Sequence, residues 1–415
     1  MRIAIFSDLH IGFGKGTARQ DEAFEQARQA FELALKEKAD LILLQGDLFN
    51  EAIPTQEAWL QMFQLFSFLR KENHAEKSTV KKSGREKIEH FEFNHVPVIS
   101  IAGTHEFRSK DFKNALEVLQ EAGCLVYLHE SKAEFEKNGE KLAVHGLSGV
   151  PEKRSLEVLQ AWNPKPEPSA INILMLHQSI KEFLPFDDDM VATISLNDLP
   201  KGFDLIIDGH LHWSSEEHLE KNRLLVPGST VVTQMKRLES TKPKGIYLFE
   251  TKESNLRFIQ LPNQRKFLFE KIEFKDASIE EIKQKAEKKL SEILSNANGK
   301  PLVKLKLKGS LAKGLAAADI DLTLLEERFK EKALLFIGLE FEEPGFKQKL
   351  QELRQAQFGK KSIAAMGFEL IEKNLAETSF QNAFDVKRIF DLLAEGNIDK
   401  VVELLSESKG AEAIA

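Results

Sequence analysis

Cysteine is almost missing from this chain: 415 residues hold one, Cys124, so no disulfide can form within it. That fits a reducing compartment. No segment approaches the ~20 consecutive apolar residues that a membrane-spanning helix needs. The opening MRIAIFSDLH reaches an aspartate too soon for a secretory signal. A cytoplasmic protein with no membrane partner is expected. Positive charge is not in excess either, with 58 Lys and Arg against 65 Asp and Glu and a formal net charge of −7. Bulk electrostatics therefore do not favour nucleic acid, and such a partner would have to be met by local basic surface or bound metal. Internal repeats and low-complexity tracts are absent as well.

What is present is a patterned, globular chain. Hydrophobic residues make up 42% and charged residues 30%, enough to bury a real core, and the length suggests two or three domains. In residues 1–262 the runs RIAIF, DLILLQ, VPVISIA, INILML and FDLIID read as strands buried on both faces. Helical periods separate them; in 21-DEAFEQARQAFELALKEK-38, Phe24, Ala27, Phe31 and Leu35 form one stripe. This alternation predicts an α/β fold. Residues 71–95 interrupt it with a polar stretch, and 77-KSTVKKSGREK-87 carries five basic residues against one acidic. It reads as a mobile surface insertion, with a DNA-contact loop as the alternative.

A second unit is expected over 265–343. FLFEKIEF alternates as a strand, Ser278 and Glu281 form a capping box for a helix over 279–294, and LVKLKLKG and LLFIGLEFE supply two further strands. The result is a small α+β domain. Residues 344–384 read as helical, and 385–406 as a helical hairpin turning at Gly396-Asn397.

Five short motifs stand in order: 7-SDLH-10, 45-QGDLFN-50, 103-GTHE-106, 176-LHQS-179 and 208-DGHLH-212. Asp8, Asp47, Thr104, His177 and Asp208 fall just beyond the ends of the apolar runs, where open α/β folds gather their sites. Each motif alone is weak, since an isolated D-x-H is more often a satisfied polar pair than a ligand set. The series is another matter. Carboxylate oxygen and imidazole nitrogen, with no thiolate, suit intermediate divalent metals. On an extended chain end, alternate residues share a face, which would put both members of D-x-H and H-x-H on one side. Asp47, after a glycine, can approach closely enough to bridge two ions. Cations about 3.5–4 Å apart clamp a phosphate for in-line displacement, and His105, beside the ligand candidates, suits proton transfer to the departing oxygen.

These motifs, in this order and spacing, resemble the calcineurin-like metallophosphoesterases. GDLFN, LHQS, DGHLH and 227-PGSTVVTQMKRLESTKPKGIYLFE-250 are similar in particular to the archaeal double-strand-break repair nucleases of the meiotic-recombination-eleven / SbcD family. The resemblance implies a layered metallophosphoesterase sandwich over 1–262, a capping, DNA-binding domain over 265–343, a helical linker and a hairpin at 385–406 that grips an SMC-like ABC ATPase. It implies two manganese ions per subunit, where spacing alone leaves manganese, iron or zinc open. Asp8, His10 and His212 would hold one ion, Asp47 would bridge, and His177 and His210 would hold the second together with residue 104. His105 would act on the leaving group.

One residue departs from the pattern. Thr104 stands where the family carries Asn, whose carbonyl reaches further and suits a hard cation better. Threonine either ligates through water or leaves the second ion one protein contact short. Glu106, where Asp is usual, could turn toward His105 or toward the metal.

Lys15 and Arg19 follow the first ligand loop and are candidates to meet DNA phosphates, with a solvated surface as the alternative. Lys304, Lys306 and Lys308 share a strand face beside Lys283, Lys285, Lys288 and Lys289, and clustered lysines suffice for backbone contacts. No aromatics interleave with them, which removes support for single-strand stacking there. The stretch 58-AWLQMFQLFSFL-69 is apolar almost all round, so its helix is buried on more than one side; the resemblance implies a homodimer through the helix around 55–69. The sum is a manganese-dependent nuclease acting on DNA ends near the nucleoid. The alternatives are a DNA-tethering scaffold weakened at Thr104, or a phosphoesterase for another ester.

Overall fold

The computed structural model describes residues 1–341 apart from 72–76, 85–86, 109–111, 185–193, 220–222, 296 and 298, and isolated positions between 385 and 404. The helical readings of 344–384 and, those positions aside, of 385–406 lie outside the described residues. The chain divides into two compact units. The first is Met1–Lys271, Ala286–Lys306 and Leu322–Gly338; the second is Ile272–Lys285, Leu307–Asp321 and the described part of Leu339–Ala415.

Among the described residues the first unit is built on two sheets. One has the order β14 (Asn255–Gln260), β13 (Gly245–Glu250), β1 (Arg2–Phe6), β2 (Leu41–Leu44), β5 (Val98–Ile101) and β6 (Val126–Leu128). The other runs β11 (Ser215–His218), β12 (Arg223–Val226), β10 (Leu205–Asp208), β9 (Ile171–Leu176), β8 (Glu140–Leu147), β7 (Ser131–Lys137), β3 (Ser78–Ser83) and β4 (Ile88–Phe93). The period-two rule sorts their side chains into layers. Ile3, Ile5, Leu41, Leu43 and Ile99 meet Val144, Ile173, Met175 and Ile207 between the sheets. The alternate residues Ala4, Phe6, Ile42 and Leu44 face outward onto helices α1 (Glu22–Lys36) and α2 (Gln56–Lys71). On the far side, Leu174, Leu176 and Ile206 pack with Leu159 of α4 (Glu152–Trp162), while Leu116 and Leu119 of α3 (Ala115–Glu121) join the α1 layer. Strands buried on both faces are thus explained by a helix–sheet–sheet–helix sandwich.

The polar stretch 71–95 departs from the expected mobile insertion. Ser78–Ser83 and Ile88–Phe93 form an antiparallel hairpin, and β3 pairs with β7, so the segment extends the eight-stranded sheet. Val80 and Phe93 are buried beneath it. Those two apolar side chains, spaced among charges, supply the inward face that the composition of the stretch conceals.

The predicted elements of the 265–343 region form. A three-stranded sheet has the order β15 (Phe267–Ala277), β16 (Leu302–Leu311), β17 (Leu334–Phe341), with α5 (Ile279–Ser295) and α6 (Thr323–Phe329) between strands in sequence. Ser278 Oγ accepts the Glu281 N–H at 3.2 Å, which is half of the capping box. Val303, Leu305 and Leu307 are buried and Lys304, Lys306 and Lys308 are half-buried, in the expected alternation. No helix among the described residues is long and apolar enough to cross a membrane.

Two buried histidines among the described residues, His95 and His145, lie outside the motifs. His145 of β8 packs edge-on to Phe203, its Nε2 without a hydrogen-bond partner. Burial, helped by Lys132, pushes its pKa down to about 4. The unfolded chain therefore binds the proton better: the neutral ring's contribution is complete above pH 6.5 and is lost as pH falls toward 4. Relative to wild type, His145→Leu is expected to lose roughly 2 kcal/mol less stability between pH 7 and pH 5, read from denaturant unfolding at both values.

Candidate metal centre

Parallel pairing aligns the carboxyl ends of β1, β2 and β5 in one sheet and of β9 and β10 in the other. The segments leaving them carry the motifs. Past β1 and β2 the two loops continue side by side: the Asp8 N–H donates to Gly46 O at 3.0 Å, the His10 N–H to Asp47 O at 3.0 Å and the Ile11 N–H to Leu48 O at 2.9 Å. The backbone is not extended there, contrary to the expectation for D-x-H. Asp8, His10, Asp47 and His210 have φ of 53°, 48°, 48° and 73°, in the left-handed region where Asp and His are over-represented. Side chains two apart converge because the chain turns. Such residues cost of order 1–3 kcal/mol each and collect at functional sites. Gly46 is demanded by the same crowding: its φ is 90°, and a Cβ there would lie 2.6 Å from Gly103 N and 2.7 Å from His177 Nδ1.

The side chains meet in three overlapping sets of three. Asp8, His10 and His212 offer ligand atoms within 4.8 Å of one another, and so do Asp47, His177 and His210; Asp47 also groups with His10 and His105. The Nε2 atoms of His10 and His212 face each other at 3.2 Å, and Asp8 Oδ1 lies 3.5 Å from the latter. His177 Nε2 is 3.2 Å from Asp47 Oδ2. Asp8 Oδ1 is buried and has no hydrogen-bond partner. Leaving such an atom unsatisfied costs about 1–3 kcal/mol, and a cation placed beside it removes that cost. The donor set fits a pair of divalent ions.

Electrostatics of the metal-free chain agree for three of the four candidate histidines. Burial lowers His10 to a pKa of about 3 and His210 to about 4, and holds His212 well below its ordinary value. These rings are neutral, with lone pairs free to ligate. Burial opposes the charge on Asp47, but the positive His177 beside it outweighs burial and keeps the carboxylate ionised. His177 is pushed the other way, up to about 10, by Asp47 against the effect of burial.

A supporting layer orients the ligands, as metal sites generally require. His177 Nδ1 donates to Gln45 O at 2.5 Å, directing Nε2 at Asp47. Thr233 Oγ1 bonds His212 Nδ1. The buried Lys244 ammonium donates to His212 O at 2.6 Å, Ser229 Oγ at 2.8 Å and Glu239 Oε1 at 2.9 Å. Sequence reasoning missed Thr233, Glu239 and Lys244; they lie in the stretch 227–250, which matters as a whole but has no ligand spacing of its own. Asp208 accepts the Gln178 N–H at 3.1 Å, and burial raises its pKa to about 8.

Thr104 is exposed, its hydroxyl 3.4 Å from Asp47 Oδ2. Glu106 points neither at His105 nor at the ligands. Its buried carboxylate accepts the N–H groups of Asp47 at 3.0 Å, Phe49 at 2.7 Å and Gly103 at 2.8 Å, locking the β2 and β5 loops together. The extra methylene, relative to Asp, gives the reach for three backbone donors. His105 is exposed, stands edge-on to His10 at 4.8 Å and is anchored by Nδ1 on Asn50 O at 2.6 Å.

Of the basic candidates, Arg19 is buried, with Nε on Glu22 at 2.8 Å and its guanidinium also bonded to Val232 O. It is committed within the fold. Lys15 is exposed, 3.8 Å from Glu57. Lys308 lies 3.3 Å from Glu273 and Lys289 3.1 Å from Glu270.

A sandwich whose two sheets deliver paired Asp/His triads at one edge defines a metal-dependent phosphoesterase. The calcineurin-like phosphoesterase family matches residues 1–214, and the chain belongs to it. Among individual proteins, it is similar to the DNA double-strand break repair protein Mre11 of Sulfolobus acidocaldarius, 22% identical over 426 residues, covering 99% of this chain and 100% of that protein. Mre11 of Saccharolobus solfataricus is 25% identical over 257 residues, 60% of each chain. The double-strand break repair protein MRE11 of Mus musculus is 26% identical over 314 residues, covering 65% of this chain and 42% of that protein. Among solved structures, a phosphopantetheinyl hydrolase from Mycobacterium tuberculosis shares 12% identity at a TM-score of 0.35, covering 63% of this chain and 96% of that one.

Proposed function

We propose that this chain is a manganese-dependent DNA nuclease that processes broken ends together with an ABC-type ATPase. The observation that carries the reading is Asp47, whose carboxylate belongs to ligand groupings on both sides of it. When bound, two divalent ions at these triads clamp a phosphodiester and assist water in displacing its leaving oxygen. The chain's own residues do the rest. Asp8, His10 and His212 would hold one ion and His177 and His210 the other, with Asp47 contributing its carboxylate. His105, exposed beside His10 and anchored through Nδ1, presents Nε2 to the departing oxygen. The similarity to Mre11 proteins supports DNA as substrate and repair as the setting. The ATPase partner is assigned to 385–406. Lys15, Lys304, Lys306 and Lys308 are proposed to meet phosphates.

A homodimer through α2 belongs to the same proposal. Ala58, Met62, Leu65, Phe66 and Leu69 are buried, while Leu60 is 60% and Phe63 38% exposed. An apolar second face of this kind is what a symmetric helix pair would cover.

Thr104 favours one variation, a subunit whose second ion is weakly held. Its hydroxyl is aimed at Asp47 and falls short of what an Asn carbonyl would reach. Manganese titration of cleavage on labelled duplex and single-stranded DNA tests both readings. Wild type cuts DNA with manganese, and Thr104→Asn lowers the half-saturating manganese concentration about ten-fold. Hydrolysis of a small phosphodiester dye without DNA cleavage would refute the nuclease. Activity only in Thr104→Asn would establish the scaffold.

A further inference from the structure

One support of the metal cradle has a second face. Thr233, which bonds His212, also lines an apolar recess of about 420 Å³. Its other walls include Phe13, Met235, Leu334 and Phe336. The first of these is tied to the cradle as well, since the Phe13 N–H donates to His10 O at 2.9 Å. Two walls of the recess thus hang from His10 and His212, ligand candidates for a single ion.

The recess is built. Arg19 lies 4.9 Å from the Phe13 ring centre, its charge already answered by Glu22, so it stiffens the ring without advertising a free cation. Met235 holds φ at 52°, a conformation unusual for its type. Phe336 stands at the lip, 40% exposed. Volume and lining fall in the range of pockets for small planar ligands, with aromatic faces and a polarizable thioether.

We infer that this recess receives one unpaired nucleobase of the DNA strand whose phosphodiester lies in the metal cradle. The inference rests on the nuclease reading and names the part of the substrate that reading leaves unplaced. A phosphate seated against His10 and His212 brings a sugar and base with it, and an apolar cavity two of whose walls are hydrogen-bonded to those residues can take the base. A base inside a duplex is stacked on both sides and cannot enter; one that has left the stack can. Stacking on an aromatic face needs no sequence readout, so any base will serve. The strand end must therefore fray, or be single-stranded, for productive seating.

The test is equilibrium binding of a short fluorescent single strand to the full chain in calcium buffer, with an abasic residue walked one position at a time. One position is expected to cost about ten-fold in affinity, and 2-aminopurine placed there should change fluorescence on binding. In Phe336→Ser and Met235→Ser that positional penalty collapses to near unity. DNA that binds with no sensitive position, or a penalty undiminished in both variants, overturns the recess while leaving the nuclease reading intact. Failure of the wild type to bind any DNA overturns both.

Discussion

Asp47→Asn is expected to lower phosphodiester cleavage roughly a thousand-fold, because it removes the carboxylate proposed to serve both ions, and bound metal supplies several kcal/mol of transition-state stabilisation. The substitution is close to isosteric and keeps an oxygen for the His105 N–H, which Asp47 Oδ1 accepts at 2.8 Å. The fold should survive, and circular dichroism checks that it does. What goes is the charge that holds His177 positive in the metal-free chain and would hold cations in the loaded one. Calorimetric titration with manganese should show fewer than two ions retained. Cleavage within ten-fold of wild type would mean that the phosphodiester is attacked elsewhere.

His105→Ala should act differently. His105 is exposed beside His10, and its Nδ1 is spent on the Asn50 carbonyl, which leaves Nε2 as the working nitrogen. Losing a positioned proton donor costs about 10²–10⁴-fold. The loss is expected in kcat, with the half-saturating manganese concentration unchanged. Substrates with a better leaving group, such as a nitrophenyl ester, should recover much of the rate because they need the proton less. A variant rescued merely by more manganese would show that His105 is a ligand, and its grouping with His10 and Asp47 makes that a fair contest.

The site was legible in sequence because its candidate ligands follow strands of strong apolar character. Leu44, Leu176 and Ile207 announce their strands, and Asp47, His177 and His210 come shortly after each. Order and residue type then fix the chemistry, whereas the conformation that joins them does not show. The left-handed turns at Asp8, His10 and Asp47 depend on hydrogen bonds to loops distant in sequence, such as Gly46 O for the Asp8 N–H. Glu106 read as a substituted ligand, yet its partners are backbone amides, which carry no residue signature. Lys244 was hidden for a related reason: a buried lysine looks like any surface lysine until Glu239 and the His212 carbonyl are seen around it. The hairpin at Ser78–Phe93 was obscured by its charges, since among its described residues only Val80 and Phe93 turn fully inward.

Crystals grown with manganese and measured at its absorption edge address the central claim without passing through activity. Two anomalous peaks about 3.5–4 Å apart are predicted, one among Asp8, His10 and His212, the other among His177, His210 and Thr104, with the Asp47 carboxylate between them. Peaks elsewhere, or none at full manganese saturation, would contradict it.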